Sequence, residues 1–421
     1  MNGLESSKVT MNLFVRSKSI SLAFCCALAL ALQFSTSLEL ELFGGIAEAQ
    51  TNYKDPSFAY EPELLSVVDS IHNGELEQAL ATVNRHMRQY PKSKLGLLLK
   101  ADILQAMSVQ LNDIGQNNES SSEELQKLRH QLKNRWVHRT QSTKGLFPAS
   151  LIDMGKHAHV LVADLNAGRL YLYENKNGQP RLIRDYYLSV GSAGFGKEKE
   201  GDNKTPVGVY SIYKHIKPDE LPDLYGEGAF PLDYPNEFDR SLNRTGHGIW
   251  LHGTPSNTYA RSPWASEGCV VLSNDDLLNI QKYINIEAKT PIVLTDTLNW
   301  ITAGQLKFER QKYYKILEKW RSDWESLNVD AYASHYSKDN FNFGSEEFST
   351  WLEQKRQVND GKSYVQLSLD IESLIVYPGQ SDMFVVRYTQ HYLSNNYSGS
   401  ALKEQYWRKN KAGLWKIVYE G

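Results

Sequence analysis

Residues 246–272 read GHGIWLHGTPSNTYARSPWASEGCVVL, and the reading of the chain starts there. The apolar run Ile249-Trp250-Leu251 leads directly into His252-Gly253-Thr254. A polar loop follows, and Ser266-Glu267-Gly268-Cys269 leads into Val270-Val271-Leu272. Short β-prone runs bounded by turn residues predict strands. A histidine placed directly after such a strand is held at its exposed end, and a cysteine preceded by glycine sits on a tight turn with open backbone on one side. Acyl transfer needs this pairing: imidazole to take the thiol proton, and sulfur to attack a carbonyl. Backbone N–H groups beside such a turn are suited to hold the oxyanion that develops. His252 and Cys269 are therefore the candidate base and nucleophile. His247, five residues upstream, follows Gly246 and is read as structural or substrate-facing.

Working outward, β-prone runs dominate from about residue 157. His159 to Ala163 and Arg169 to Tyr173 predict two strands, and Asn177-Gly178 predicts a turn. Further strands are expected near Tyr186 to Val190, Gly208 to Tyr213, Gly248 to His252 and Pro291 to Thr295, with a helix over Asn274 to Ile284. This gives a β-rich central domain with long loops over 145–303. Gly191 to Gly196 lacks the Lys-Ser/Thr ending of a phosphate loop and is read as a loop flanking the cleft. His157 and His159 alternate along one strand face, but no Asp/Glu/Cys cluster accompanies them, so no metal site is expected. No cofactor is implied either.

Both flanks differ in pattern. Lys8, Arg16 and Lys18 precede an apolar run from Ile20 to Phe34. That length suits the apolar core of an export signal better than a span of about 20 residues. Ala47-Glu48-Ala49 offers a cleavage site before Gln50, so 1–49 is expected to be a signal peptide and the protein exported to the periplasm; an uncleaved inner-membrane anchor is the alternative. Of the three cysteines, Cys25 and Cys26 would leave with the signal and Cys269 would remain alone. A lone thiol in an oxidising compartment gains no internal disulfide and is exposed to oxidation, which favours a chemical reason for it. Residues 50–144 show helical spacing at Leu64, Leu65, Val67, Val68 and Ile71, then at Ala79, Leu80, Val83 and Met87, then from Leu97 to Met107. Gly74, Ala79, Leu80, Tyr90 and Pro91 resemble one tetratricopeptide repeat, a unit that needs neighbours to bury its faces. A helical module for a protein partner or self-association is expected.

Beyond residue 303 the chain turns helical through Phe308, Tyr313, Ile316, Leu317, Trp320 and Trp324. Alternating strands follow over Tyr364 to Val376, Met383 to Leu393 and Leu402 to Tyr419, the last folded back at Asn410 to Gly413. This order resembles the NTF2-like cone, assigned to 304–421. The aromatics Trp320, Trp324, Tyr332 and Tyr336 are expected in its core. The fold class is thus multidomain α+β: a helical module, a β-rich catalytic domain and an NTF2-like domain. With 41% hydrophobic and 23% charged residues and a formal net charge of -3, the chain has a globular composition. It shows no basic stripe, so no nucleic-acid partner is expected.

His252-Gly253-Thr254, a gap, and Ser266-x-Gly268-Cys269-Val270 resemble the signature of the YkuD-type L,D-transpeptidases, with histidine and cysteine 17 positions apart. Val190-Gly191, Asp202, Lys204-Thr205-Pro206 and Gly208 fit the same family's upstream pattern, and the resemblance covers about 157–297. It implies an enzyme whose Cys269 attacks the carbonyl of the third residue of a peptidoglycan stem peptide, with His252 as base and the Gly253 carbonyl fixing the imidazole tautomer. Arg261, Trp264, Ser266 and Gly268 are the candidate substrate-binding residues. Two positions depart from the pattern. Glu267 stands where histidine is frequent. Val271 stands where arginine or asparagine is frequent, which leaves Arg261 or Arg244 to replace the missing polar partner. The first expectation is L,D-transpeptidase activity. The three-part layout is similar to L,D-carboxypeptidases that trim tetrapeptide stems to tripeptides and influence cell shape, so hydrolysis is the alternative. A non-catalytic envelope scaffold is the third reading.

Overall fold

The computed structural model describes residues 59–108, 123–140, 143–339, 341 and 347–421. The expected signal peptide and its cleavage site lie outside the described residues. The helical module comprises α1 (Tyr60–His72), α2 (Leu76–Gln89), α3 (Lys94–Ala106) and α4 (Glu123–Thr140). Apolar residues at helical spacing pack inward: Leu64, Leu65 and Val67 from α1 meet Ala79 and Val83 from α2 and Leu95, Leu99 and Ile103 from α3. Ser93 caps α3, its Oγ accepting from the Gly96 amide at 3.0 Å, which satisfies one of the free donors at a helix start.

The central sheet is built from β3 (His159–Asp164), β4 (Arg169–Lys176), β5 (Gln179–Tyr187), β7 (Gly208–Ser211) and β12 (Pro291–Thr295) in the order β5-β4-β3-β12-β7. β12 runs parallel to β3 and antiparallel to β7. The unbroken apolar run of β3 has a physical reason: both faces of the sheet are covered. Leu161 and Ala163 enter the core beneath the candidate site, whereas Val160 and Val162 point the other way, into a core shared with the C-terminal domain. A smaller sheet carries the site. It consists of β8 (Ala229–Pro231), β9 (Trp250–His252) and β11 (Val270–Val271), with β9 in the middle. β6 (Val190–Gly191) pairs beside it with β10 (Trp264–Ser266). The expected single strand over Tyr186 to Val190 is divided instead. β5 ends at Tyr187, and the chain changes sheet before Val190. The helix expected over Asn274 to Ile284 is α-helical only over Asn274–Ile280, its last turn tightening to a 3-10 helix at Gln281–Tyr283.

The C-terminal domain folds a 23-residue helix, Ala303–Glu325, over a curved antiparallel sheet of β14 (Val365–Val376), β15 (Met383–Ser394), β16 (Ser398–Lys409) and β17 (Trp415–Glu420). Trp320, Tyr332 and Tyr336 are buried between helix and sheet, as core residues. The domain boundary expected at 145 needs correction. β2 (Leu151–Asp153) is the edge strand of the C-terminal sheet, pairing with β14, and β1 (Leu146–Pro148) pairs with β13 (Trp300–Thr302). Residues 146–153 belong structurally with the C-terminal domain because Leu151 and Ile152 find their apolar neighbours there.

Candidate active site

Parallel pairing of β9 with β11 places Leu251 opposite Val270 and His252 opposite Val271. Cys269, one residue before β11, therefore lies beside Trp250, and His252 lies two residues further along the neighbouring strand. The Cys269 thiol donates to the Gly248 carbonyl at 3.3 Å. Burial pushes this thiol above its ordinary value, against the opposing pull of the Trp250 N–H and the Arg261 charge. His252 is 3% exposed, and burial pushes its imidazole down to about 4, against the hydrogen bond to Gly253. Nδ1 lies 2.7 Å from the Gly253 carbonyl oxygen. A carbonyl only accepts, so Nδ1 carries the proton and Nε2 is left as the basic nitrogen. Both groups thus rest neutral near pH 7, and the proton would leave sulfur as attack proceeds.

The turn that presents the thiol is fixed by hydrogen bonds spread over the chain. The Ser266 hydroxyl donates to the Cys269 carbonyl at 2.7 Å and accepts from the Gly268 amide at 3.2 Å. Ser266, expected at the substrate, is buried and holds the turn through these bonds. Thr205, also buried, donates to the Gly268 carbonyl at 3.0 Å and accepts from the Gly191 amide at 2.9 Å. Gly268 has φ +125°, and a Cβ there would stand 2.7 Å from the Lys204 carbonyl oxygen. Gly268, also expected at the substrate, is likewise buried. The Gly191 to Gly196 loop is closed by the Gly194 amide on the Gly191 carbonyl at 2.8 Å and the Thr205 amide on the Gly194 carbonyl at 2.9 Å. Asn274 secures the other side, accepting from the Thr254 amide at 3.0 Å and donating to the Thr254 carbonyl at 2.9 Å.

Arg261 is partly exposed. Its guanidinium donates to the Leu224 carbonyl at 3.2 Å and the Ala265 carbonyl at 3.4 Å, and it bears electrostatically on both Cys269 and His252. Trp264 is 38% exposed, with its ring against His130 at 4.6 Å. Arg244 is not available for substrate: it is engaged with the fully buried Asp239 at 2.8 Å. Val271 is buried, on the strand face opposite Val270 and Leu272, which enter the core. His247 is exposed, 3.6 Å from Glu200. His157 precedes β3 and is buried, with burial pushing it down to about 4, while His159 packs on Tyr283. Tyr259 packs into the helical module rather than the cleft. Tyr225, which no sequence motif marks, sets its ring edge-on to His252 at 5.0 Å and tilted against Trp250 at 4.9 Å. Only the fold brings the 221–228 loop to the histidine.

A thiol and a tautomer-fixed imidazole on adjacent parallel strands, backed by a sheet buried on both faces, define a β-rich domain of the cysteine–histidine type. Residues 158–294 match the family model of the YkuD L,D-transpeptidase catalytic domain, and residues 312–421 match the Cds6 C-terminal NTF2-like domain. The chain thus carries a domain of the YkuD-type L,D-transpeptidase family over 158–294 and a Cds6-type NTF2-like domain over 312–421. It is 29% identical over 117 residues to the putative L,D-transpeptidase YafK of Escherichia coli K12, a match spanning 27% of this chain and 42% of that protein. Among solved structures, Bd1075 of Bdellovibrio bacteriovorus is 28% identical with a TM-score of 0.58, covering 66% of this chain and 97% of that one. The helical cell shape determining protein Pgp2 of Campylobacter jejuni is 24% identical with a TM-score of 0.54, covering 69% and 100%.

Proposed function

We propose that this chain is an exported enzyme that cleaves peptidoglycan stem peptides through a Cys269 thioester. His252 Nε2 takes the thiol proton as sulfur attacks the scissile carbonyl carbon. The C–N bond then breaks, and the imidazolium returns the proton to the leaving amine. Gly253 holds the tautomer through its carbonyl. Arg261, whose charge bears on Cys269 and His252, is the group suited to a substrate carboxylate, and Trp264 offers an exposed ring at the cleft edge. The observation that carries this reading is the 2.7 Å contact from His252 Nδ1 to the Gly253 oxygen, on the strand next to Cys269.

Transfer of the acyl group to an amine is the first reading, supported by the family match over 158–294. Hydrolysis is the second, supported by the order of helical, catalytic and NTF2-like parts. Incubating the full chain with tetrapeptide muropeptides, with and without a D-amino acid, separates the two. Exchanged or cross-linked products mean transfer; tripeptide alone under excess acceptor means hydrolysis. Cys269→Ala should abolish both, a loss of several orders of magnitude. Full turnover by that variant would remove the reading altogether.

A further inference from the structure

The helical module touches the catalytic domain on β4 and β5, through Glu61 to Arg169 and His138 to Asp185, and also on a loop of the candidate site. Between His252 and Cys269 the chain runs through one loop, residues 254–264, and module contacts fall on four of its residues. The Tyr259 ring stacks on Tyr60 of α1, centroids 3.9 Å apart and planes 17° from parallel, with Tyr90 edge-on at 5.2 Å. Lys92 donates to the Ser256 carbonyl. Gln131 of α4 donates to the Arg261 carbonyl at 3.2 Å, and His130 lies against the Trp264 ring. A further link is indirect. Arg135 of α4 sits 3.9 Å above the Tyr187 ring, whose hydroxyl donates to the same Arg261 carbonyl at 3.0 Å.

The far end of this loop is the active site. The Arg261 guanidinium reaches the Leu224 carbonyl, next to Tyr225, whose ring stands against His252. The Ser256 amide donates to Asp223 of the same segment at 3.1 and 3.2 Å. Loops that cross a surface are ordinarily the most mobile part of a site. Here a separate set of helices supplies the packing that fixes one.

We propose that the N-terminal helical module is an intramolecular brace for the substrate loop, with Tyr259 as the positioning residue. By gripping Tyr259 and the Arg261 carbonyl, the module fixes the backbone from which the Arg261 guanidinium reaches the Leu224 and Ala265 carbonyls. Arg261 is then set for a substrate carboxylate only while the module is docked. This rests on the Cys269 reading above and adds to it a control point outside the catalytic domain.

The test compares Tyr259→Ala, Tyr259→Phe and Gln131→Ala in the full chain. The readouts are KM and kcat on a tetrapeptide muropeptide, the rate of Cys269 labelling by a small maleimide, and the melting temperature. Misplacement of a substrate-holding group by about 1 Å costs on the order of 100-fold. Tyr259→Ala should therefore lower kcat/KM by about that factor, mainly through KM, with Cys269 still labelled by the maleimide. Tyr259→Phe keeps the stacked ring and should retain activity within about twofold. Should Tyr259→Ala not fold, Gln131→Ala removes one donor to the Arg261 carbonyl while leaving the ring stack, and should raise KM by about fivefold, since one hydrogen bond is worth about 1 kcal/mol. Unchanged KM in Tyr259→Ala, or in Gln131→Ala where it is the variant that folds, overturns the brace. So does equal loss in Tyr259→Ala and Tyr259→Phe. An active Cys269→Ala would instead sink the underlying reading.

Discussion

His252 stays neutral down to about pH 4 because charging it would place a cation in a buried site whose nearest charged group is Arg261. A base is lost only when it is protonated, so acidification should leave kcat/KM on a muropeptide intact through pH 6 and 5. The decline belongs near pH 4. An acid limb centred near 6.5, the ordinary histidine value, would contradict the buried imidazole. The thiol is raised, so maleimide labelling of the free enzyme should climb with pH into the alkaline range instead of reaching a plateau near neutrality. Thr205 offers a second prediction at this scale. Thr205→Val keeps the shape but leaves the Gly191 amide and the Gly268 carbonyl without their partner. Unsatisfied buried groups cost about 1–3 kcal/mol each, so a stability loss of about 2 kcal/mol is expected by thermal melt, with reduced turnover. The motif around Thr205 was legible in the sequence, but its task was not, because its two partners lie 14 and 63 residues away.

At the scale of elements, the site depends on two short parallel strands whose register sets histidine against cysteine. Two-residue pairing is too brief to specify that register alone. The turn at Gly268 contributes, since only a residue without Cβ fits at φ +125° against the Lys204 carbonyl. Gly268→Ala should cost about 1–3 kcal/mol from backbone strain and shift the thiol, which a slower or faster maleimide reaction would reveal. The paired apolar strands, the helical spacing and the C-terminal order of elements were all readable from periodicity. Element ends were less so. The change of sheet between Tyr187 and Val190 leaves no mark in hydropathy, because residues in both sheets are equally buried.

Across the whole molecule, docking of the helical module rests on charge as well as rings. Glu61 of α1 accepts from Arg135 and, at 2.8 and 2.9 Å, from Arg169 of β4, which also pairs with Asp185. Although burial would raise it, the two guanidiniums hold the Glu61 carboxyl below its usual range. A depressed carboxylate contributes stability above its unfolded pKa and loses it as pH falls through the folded one, so docking should weaken only in acid. Glu61→Ala strands part of a buried guanidinium pair and should destabilise by about 3 kcal/mol, read as a lowered melting temperature. A fragment of 145–303 should melt below residues 59–421. It keeps Leu151 and Ile152 but loses β14, and it uncovers Val160, Val162 and Val293. Each exposed aliphatic side chain costs about 1.5–3 kcal/mol.

The sequence by itself marked Cys269 and His252 as candidate nucleophile and base and laid out three successive blocks of helical, β-rich and mixed pattern, while the role of the Gly253 carbonyl came only with the family resemblance. These are local properties: residue type, spacing of two or three and a half, and a turn residue in place. Only the tertiary structure decided that Ser266 and Gly268 serve the turn, that Arg244 is committed to Asp239, and that Tyr225 stands against His252. It also decided that residues 146–153 join the C-terminal domain and that Tyr259 belongs to the helices. Each of these is a contact between residues far apart in the chain, and apolar surface is interchangeable enough that hydropathy says a residue is buried without saying against what.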